Sequence, residues 1–333
     1  MNKETLKSKI RPVTEEDKKN LKAYSYSGLS TLKTCPYQFY LNYIEGKRSS
    51  DTSLALQLGT LLHYILEQKG KMIVSGEGID YPKLYNIQLN GMKEVDGEKT
   101  KEEIIGLNDL KKTYWEEWGV PDTEGRTYND KLVNFDKVLA NEMQNTEWKP
   151  YLFEHYFEFV YDNKIILHGF IDRVDKKDEA LRVIDYKTNK KLYDKKDLPT
   201  SLQFGIYALA ILNEFDIIPE QFIYRMILLD DSQEALTPGW EDRLVTQLDK
   251  IVKSLETHKE SGTWEPKPCP LCHWCNYCAT NGNAKQYKNE CQYYSLWTPE
   301  HKTFEVNKEF NIFENKEEKN NQGVDKPRRT VVF

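Results

Sequence analysis

Three charged residues close together in the chain have the chemistry of a metal-dependent hydrolase. Asp172, Asp185 and Lys187 lie in the stretch HGFIDRVDKKDEALRVIDYKTNK, residues 168–190. Two carboxylates can hold a hard divalent cation such as Mg²⁺ together with a substrate phosphate. A lysine beside them can position or help to deprotonate an attacking water. The residue types therefore indicate phosphodiester hydrolysis, although a D-x-K tripeptide taken alone more often marks only a solvated strand face.

A β-hairpin is the element that would bring these side chains together. The runs ILHGFIDRVD and ALRVIDYK alternate apolar and polar residues on either side of the polar KKDE, the pattern of two strands joined by a turn. Side chains two apart on a strand point the same way, so Asp185 and Lys187 share a face. Antiparallel pairing would place Asp172 near Asp185, at one end of a small sheet.

Elements before and after the hairpin extend this sheet. HYFEFVYDN alternates and ends in a turn-forming Asp-Asn, so it is predicted to pair with ILHGFIDRV. SLQFGIYALAILNEF is predicted as a helix, on which Gln203 and Tyr207 are four residues apart and share one face. QFIYRMILL is predicted as a further strand. SLALQLGTLLHYILEQK, upstream, has the wide apolar stripe of a helix, and Gly59 within it predicts a close packing contact.

The order of these motifs resembles the PD-(D/E)XK nuclease superfamily, and within it the RecB-like iron-sulfur exonucleases with their CRISPR-associated and AddB-like branches. GFIDRVD followed by VIDYKT carries the acidic residues and the lysine. An upstream G-x-x-x-H runs from Gly59 to His63, and a downstream Q-x-x-x-Y runs from Gln203 to Tyr207. The resemblance implies an α/β, restriction-endonuclease-like core, which is a mixed sheet flanked by helices.

The resemblance also implies a metal site. Asp172, Asp185 and His63 would bind Mg²⁺ or Mn²⁺, and Lys187 would align or activate the water. Without the resemblance, a histidine on an apolar helix such as His63 is expected to be a satisfied core residue.

Three further residues are implied to support this site. Gln203 and Tyr207 would support the lysine and the DNA strand. Glu154 stands just ahead of the strand HYFEFVYDN, where the family often has an acid, and is predicted as a minor site residue.

The cysteines carry a second chemical argument. The chain has six, and four of them, Cys269, Cys272, Cys275 and Cys278, recur at intervals of three in CPLCHWCNYC. That spacing is too tight for disulfides among them, and nothing marks the chain as secreted, so metal ligation is predicted. Zinc is the default ion for a four-thiolate site, and His273 offers a nitrogen that would also suit zinc.

The same cysteines also resemble the ligands of an iron-sulfur cluster. C-x2-C-x2-C can present three thiolates to a cluster whose fourth ligand comes from afar. The related nucleases have an early cysteine and a later C-x2-C-x5-C that together hold a 4Fe-4S cluster. Cys35, in a segment resembling their first helix, would be the early ligand, and Cys269, Cys272 and Cys278 reproduce the later spacing. The extra Cys275 leaves the choice at four of these five, and Cys291 is expected to be a free thiol or a core residue.

Composition limits the other interpretations. The chain has 333 residues, is 39% hydrophobic and 30% charged, and contains no apolar run long enough for a membrane span or a signal peptide. We therefore expect a cytoplasmic protein, in a bacterial cell or a phage-infected host, without a membrane partner. The net charge of −6 means that DNA binding would depend on local positive charge, which NKKLYDKKD at 189–197 supplies.

The predicted organisation has three parts. Residues 1–22 form a flexible arm, residues 23–300 form the nuclease domain, and residues 306–333 form a disordered tail. The nuclease domain contains a helical insertion at about 71–150 and a C-terminal Cys-rich segment at 264–291. Within the insertion, LNDLKKTYWEEWGV and YNDKLVNFDKVLANEMQ are predicted as helices, and GEGIDYPKLYN and NGMKEVDGEKTKEE as loops. Tyr114, Trp115 and Trp118 would pack in a core or stack on bases of single-stranded DNA.

These patterns predict a metal-dependent DNA nuclease. The resemblance favours an exonuclease that prefers single strands and acts in recombination and repair, phage DNA metabolism or CRISPR adaptation. Its partners would be DNA with single-stranded ends and recombination or replication proteins. Two alternatives remain at this point, a non-catalytic DNA-binding recombination partner and a zinc-stabilised protein of unrelated function.

Overall fold

The computed structural model describes residues 3–49, 52–96, 99–145, 147–236, 239–278, 285–291, 295–298, 303–306 and 330–332. The chain divides into two compact units. The first comprises Met1–Tyr26 and Thr52–Leu248, and the second comprises Ser27–Asp51 and Asp249–Phe333.

Helices and strands alternate along the chain. The helices are α1 Lys3–Lys7, α2 Glu15–Asn20, α3 Tyr26–Thr34, α4 Pro36–Phe39, α5 Leu54–Val74, α6 Tyr81–Asn90, α7 Leu107–Thr113, α8 Trp115–Trp118, α9 Tyr128–Asn141, α10 Leu202–Phe215 and α11 Trp240–Ser261. The strands are β1 Ile10–Arg11, β2 Ala23–Tyr24, β3 Met92–Asp96, β4 Lys99–Ile104, β5 Lys149–Tyr161, β6 Ile165–Lys177, β7 Ala180–Lys187, β8 Gln221–Met226, β9 Asp231–Ala235, β10 Ser295–Thr298, β11 Thr303–Val306 and β12 Thr330–Val332.

A seven-stranded mixed sheet lies in the first unit. Its order is β1-β5-β6-β7-β8-β9, with β2 paired to β6. The long hairpin of β5 and β6 and the hairpin of β6 and β7 are antiparallel, whereas β7 and β8 are parallel. This mixed sheet and its flanking helices confirm the predicted restriction-endonuclease-like fold class.

Helix α10 is the connection that makes β7 and β8 parallel, since parallel strands need a crossover. Ser201 caps its start by accepting a hydrogen bond from the backbone N–H of Phe204 at 3.2 Å. Every residue from 202 to 212 is buried, as expected for a helix that is apolar on nearly every side. Gly205 allows the close approach of a neighbouring side chain, because an added Cβ would lie 2.3 Å from Leu244 Cδ1.

Helix α5 packs its apolar stripe into the largest described core of the first unit. The leucines and isoleucines of this stripe pack in one cluster with residues of α6, α7 and α9 and with Ile184 and Tyr186 of β7. Gly59 faces Thr188, whose Oγ1 would lie 3.2 Å from an added Cβ. The packing role predicted for Gly59 is thereby confirmed, and the contact ties α5 to the end of the D-x-K strand.

Two parts of the first unit differ from the sequence-based expectation. The arm expected at residues 1–22 contains α1, β1 and α2, with Leu6 fully buried and β1 paired to β5. The stretches expected as loops in the insertion contain α6 and the β3–β4 hairpin. These elements are too short to show a clear period, so tertiary pairing rather than local pattern determines them. The helices predicted in the rest of the insertion are confirmed by α7, α8 and α9.

In the second unit, α3 ends before Cys35, and Pro36 starts α4, because proline suits the first turn of a helix. A π-helical turn at Tyr40–Ile44 follows. Strands β10, β11 and β12 form a three-stranded sheet. Most of the expected disordered tail, residues 307–329, lies outside the described residues. Of the helices that are described, none combines the length and the apolar character needed to cross a membrane.

Candidate active site

Three side chains from three elements of the first unit form a group suited to a metal ion. His63 of α5, Glu154 of β5 and Asp172 of β6 each offer a ligand atom, and these atoms lie within 4.8 Å of one another. His63 Nδ1 is 3.5 Å from Asp172 Oδ2. The structure thus brings His63 and Asp172 together as predicted, and it makes Glu154 a full member of the group.

The sheet register explains why the two carboxylates meet. Phe153 pairs with Arg173 and His155 with Ile171, which places Glu154 opposite Asp172 on the neighbouring strand. Glu154 has a φ of 43°, a left-handed backbone conformation that is uncommon for a residue with a side chain. Backbone strain of this kind costs about 1–3 kcal/mol and is concentrated at functional sites. No sequence pattern signals such a residue, which is why sequence reasoning gave Glu154 only a minor place.

The hairpin also fixes Asp172 through the backbone of the next strand. The backbone N–H of Tyr186 donates a hydrogen bond to Asp172 Oδ2 at 2.7 Å. Because Tyr186 lies between Asp185 and Lys187, this bond ties the first acid of the motif directly to the D-x-K tripeptide.

The electrostatics of the group favour a bound cation. Burial lowers the pKa of His63 to about 4, so the imidazole is neutral, which is the form that binds metals. Burial raises the pKa of Glu154 to about 7. Burial and the neighbouring carboxylate of Asp185 also raise the pKa of Asp172. Crowded buried carboxylates are relieved by a divalent cation, so the residues present fit a hard metal ion.

Asp185 and Lys187 form the second part of the site, together with α10. Lys187 Nζ lies 2.5 Å from Asp185 Oδ2. The ammonium therefore contacts the buried Oδ2 directly. Burial disfavours the charge on Lys187, but the charge and the hydrogen bond of Asp185, together with Tyr193 and Asp172, outweigh burial and raise the pKa of the ammonium.

Helix α10 holds this pair in place through two polar residues on one face. Gln203 Nε2 donates to Asp185 Oδ1 at 2.7 Å, and Gln203 Oε1 accepts from Lys187 Nζ at 3.1 Å. The Tyr207 hydroxyl accepts from Gln203 Nε2 at 2.9 Å and donates to Asp185 Oδ1 at 3.3 Å. The predicted shared face of Gln203 and Tyr207 is therefore the face that contacts the acid and the lysine.

The cysteines gather elsewhere, in the second unit. None of the six is in a disulfide, and all line one cavity, namely Cys35, Cys269, Cys272, Cys275, Cys278 and Cys291. Cys35 Sγ accepts a hydrogen bond from the backbone N–H of Lys267 at 3.4 Å, and Cys272 Sγ accepts one from that of Cys269 at 3.3 Å. Cys291, expected to be a free thiol or a core residue, is buried and forms a parallel β-bridge with Cys278. The chain separation of Cys291 from CPLCHWCNYC gave no sign of this proximity.

A mixed sheet that carries a buried acid-lysine pair beside a histidine-carboxylate group is the arrangement that the sequence predicts for a metal-dependent nuclease. Comparison with known proteins gives the family. A family model described as the PD-(D/E)XK nuclease superfamily matches residues 23–280. The chain belongs to the PD-(D/E)XK nuclease superfamily.

Relatives of much greater length share part of the chain. It is 27% identical over 231 residues, 62% of its length, to an ATP-dependent helicase/deoxyribonuclease subunit of Clostridium perfringens, of which 19% is covered. It is 28% identical over 176 residues, 51% of its length, to the protein of the same name from Streptococcus agalactiae, of which 14% is covered. The chain thus spans less than a fifth of these relatives, and the expected likeness to AddB-like nucleases is confirmed.

One solved structure is similar to most of the chain. A protein from Eubacterium rectale, described as a candidate exonuclease, covers 79% of this chain and 92% of its own at 13% identity, with a TM-score of 0.39.

Proposed function

We propose that this protein is a metal-dependent DNA nuclease that hydrolyses phosphodiester bonds at single-stranded DNA ends. The observation that carries the proposal is the juxtaposition of two chemical groups along one hairpin. A histidine-carboxylate group suited to a cation, His63, Glu154 and Asp172, adjoins the ion pair of Asp185 and Lys187. The relatives named as deoxyribonuclease subunits support DNA as the substrate.

The proposed metal ligands are His63, Glu154 and Asp172, with Asp185 as a further carboxylate from the adjoining strand. Mg²⁺ or Mn²⁺, when bound, would supply an activated water and stabilise charge on the phosphoryl oxygens. The carboxylates match the preference of these hard cations for oxygen ligands, and the neutral imidazole adds one nitrogen ligand.

Lys187 is proposed to act on the phosphate. Its ammonium, held by Asp185 and Gln203, is a fixed positive charge at the edge of the site. A preorganised cation stabilises the charge that develops on the phosphoryl oxygens and aligns the attacking water. Gln203 and Tyr207 are positioning residues in this scheme, because they act through Asp185 and Lys187.

The loop after β7 is proposed to guide the DNA backbone. Lys190, Lys191, Lys195 and Lys196 are exposed in this loop, and Lys190 Nζ lies 4.5 Å from the centroid of the Tyr128 ring. Tyr193 anchors the loop, with its ring centroid 4.7 Å from that of Tyr224 and its backbone N–H bonded to Gln233 at 2.8 Å. Lysines on an anchored loop beside the site give an acidic protein the local positive charge that phosphate binding needs.

The cysteine cavity is proposed to hold a 4Fe-4S cluster. Cys35 would supply the early ligand, and three of Cys269, Cys272, Cys275 and Cys278 would supply the others. The Cys35 and Cys272 sulfurs already accept backbone N–H bonds, which are among the contacts that tune and stabilise cluster thiolates. Anaerobic purification followed by absorption spectroscopy and iron, sulfide and zinc analysis tests this assignment. Colourless protein with one zinc would replace the cluster by a zinc site.

In the cell, the nuclease is proposed to act in recombination and repair of DNA. The names of its relatives combine a helicase with a deoxyribonuclease, so a helicase is the proposed partner that would supply unwound ends. Phage DNA metabolism and CRISPR adaptation are the other settings that the family resemblance admits.

A cleavage assay with a matched lysine control tests the proposal. End-labelled single- and double-stranded DNA is incubated with Mg²⁺ or Mn²⁺ and with wild type, Lys187→Ala or Lys177→Ala. Lys177 lies on the same hairpin but pairs with Glu147 at 3.1 Å, outside the site. We expect metal-dependent cleavage by wild type and Lys177→Ala, faster on single strands, and a loss of about a hundredfold or more in Lys187→Ala. Folded wild-type protein that cuts neither substrate would contradict the proposal.

A further inference from the structure

Two half-exposed aromatic rings lie on the two strands that carry Glu154 and Asp172. Tyr156 and Phe170 are 48% and 52% exposed, although aromatic rings of this size usually lie in a core. They are directly paired across β5 and β6, and their ring centroids are 5.3 Å apart. The rings therefore form one continuous aromatic surface rather than two separate exposed residues. We call Tyr156 and Phe170 the aromatic pair.

Along β5 and β6, the aromatic pair lies two residue positions away from Glu154 and Asp172. Tyr156 follows Glu154 by two residues, and Phe170 precedes Asp172 by two residues. On β6, whose backbone is regular here, two residues along the strand span about 6.6 Å and bring the side chains of Phe170 and Asp172 to the same side. Ile171, between Phe170 and Asp172, is fully buried, which agrees with this alternation.

The hydroxyl of the aromatic pair has a polar partner. The Tyr156 hydroxyl donates to Glu158 Oε2 at 3.0 Å, and Glu158 Oε1 is 3.0 Å from Lys18 Nζ of α2. Tyr156 is thus bound at its outer end beside Phe170, whose ring has no hydroxyl to satisfy and is half exposed.

We propose that Phe170, supported by Tyr156, is a stacking platform for one unpaired nucleobase beside the cleaved phosphate. This inference rests on the proposed nuclease function and names the part of the substrate that the site recognises. Stacking on an aromatic face requires a base that is free of its partner strand, and it tolerates every base because each has a π-face. The platform therefore selects single-stranded DNA without selecting sequence.

Among the other exposed aromatic side chains described in the first unit, Trp115 is the most exposed. Trp115 is 70% exposed, whereas Trp118 is buried and donates its indole N–H to Asn129 at 2.9 Å. Trp115 belongs to α8 of the insertion and is not on the strands that carry Glu154 and Asp172. It is therefore the matched control for an exposed aromatic side chain.

The test measures DNA binding apart from cleavage. Binding of a short fluorescein-labelled oligo(dT) is followed by anisotropy with Ca²⁺ in place of Mg²⁺, for wild type, Phe170→Leu, Phe170→Tyr and Trp115→Ala. Phe170→Leu keeps apolar volume but removes the ring, so we expect it to weaken binding about fivefold or more. Phe170→Tyr keeps an aromatic ring and is expected to bind like wild type. Trp115→Ala, the control, is also expected to bind like wild type. Circular dichroism verifies that each variant is folded.

A second arm locates the contact on the DNA. Oligonucleotides with a single abasic site at successive positions from the end are bound by wild type and by Phe170→Leu. We expect wild type to lose affinity at one position near the end and Phe170→Leu to show no loss at that position. The proposed platform is wrong if the two proteins bind with equal affinity and show the same abasic profile. It is also wrong if wild type does not bind oligo(dT). If wild type cleaves DNA and Phe170→Leu is unchanged, only the platform fails; if binding depends on Phe170 but no cleavage occurs, only the nuclease proposal fails.

Discussion

Gln203 offers a sensitive test of how the site is held together. It is 8% exposed and joins both catalytic candidates, since it donates to Asp185 at 2.7 Å and accepts from Lys187 at 3.1 Å. Gln203→Leu keeps most of the volume and removes both contacts. Hydrogen bonds to charged groups contribute about 1.5–3 kcal/mol each. A buried leucine recovers a comparable amount by apolar burial, about 1.5–3 kcal/mol.

The net loss of stability in Gln203→Leu is therefore expected to be about 1–3 kcal/mol. In a domain of this size, that lowers the melting temperature by about 2–4 °C for each kcal/mol. The catalytic loss is expected to be larger, because Asp185 and Lys187 are no longer held in one geometry. If one contact of about 1.5–3 kcal/mol is lost from the transition state, the single-turnover cleavage rate falls about 10- to 150-fold.

Gln203→Glu separates the two contacts. It keeps an acceptor for Lys187 but sets a carboxylate against Asp185, whose pKa burial already raises. We expect a loss of activity at least as large as that of Gln203→Leu. Thermal melts by circular dichroism and single-turnover cleavage of end-labelled DNA measure both quantities. A folded Gln203→Leu protein that cleaves at the wild-type rate would refute the positioning role.

Three further changes test the fold and the second unit. Arg173→Met removes the buried ion pair of Arg173 and Asp175, which are 1% and 0% exposed, but leaves Asp175 paired with Arg182, and is expected to cost about 1.5–3 kcal/mol in urea unfolding. A hydrogen bond from Lys131 holds the pKa of Asp122 well below its ordinary value of 3.8, so this stabilisation is complete above that value and is lost as the pH falls below it. Asp122→Asn is thus expected to flatten the fall of melting temperature in acid. Cys272→Ser is expected to lose iron on anaerobic purification.

A loss of stability below about 1 kcal/mol in Arg173→Met would contradict the first prediction. Melting temperatures that fall in parallel with pH for Asp122→Asn and wild type would contradict the second. An iron content in Cys272→Ser equal to that of wild type would contradict the third. Cys291→Ser is the matched control for the cluster, since Cys291 lines the same cavity but lies outside the proposed ligand set. Loss of iron in Cys291→Ser would move Cys291 into that set.

The sequence predicted the centre of the site because the patterns that place its residues involve positions close together in the chain. The alternation of β6 and β7 and the helical spacing of Gln203 and Tyr207 each depend on residues a few positions apart. The repeat of apolar residues along a strand or helix is visible in the sequence when one face is buried, so Asp172, Asp185 and Lys187 could be placed on strands from the pattern. The mixed sheet was expected from the resemblance to the PD-(D/E)XK nucleases.

The rest of the site depends on contacts that leave no periodic signal. Glu154 joins the metal group through strand register and a left-handed backbone, neither of which its residue type indicates. Cys291 reaches the other cysteines through a single β-bridge. Within residues 1–22, strand β1 pairs with β5, although the charged composition of this segment resembles that of a mobile arm. Tertiary pairing overrides local propensity in all three cases.

Cleavage as a function of metal concentration in wild type and Asp172→Asn tests the central claim most directly. Asp172 belongs to the candidate metal group and is tied to the D-x-K strand by the Tyr186 backbone, so its loss should disable metal binding without removing the fold. We predict that chelated wild type is inactive, that Mn²⁺ or Mg²⁺ restores cleavage of single-stranded DNA, and that Asp172→Asn is slower by about a hundredfold or more, a difference of about 2.7 kcal/mol. Equal, metal-independent cleavage by the two proteins, or no cleavage by folded wild type at any metal concentration, would contradict the account.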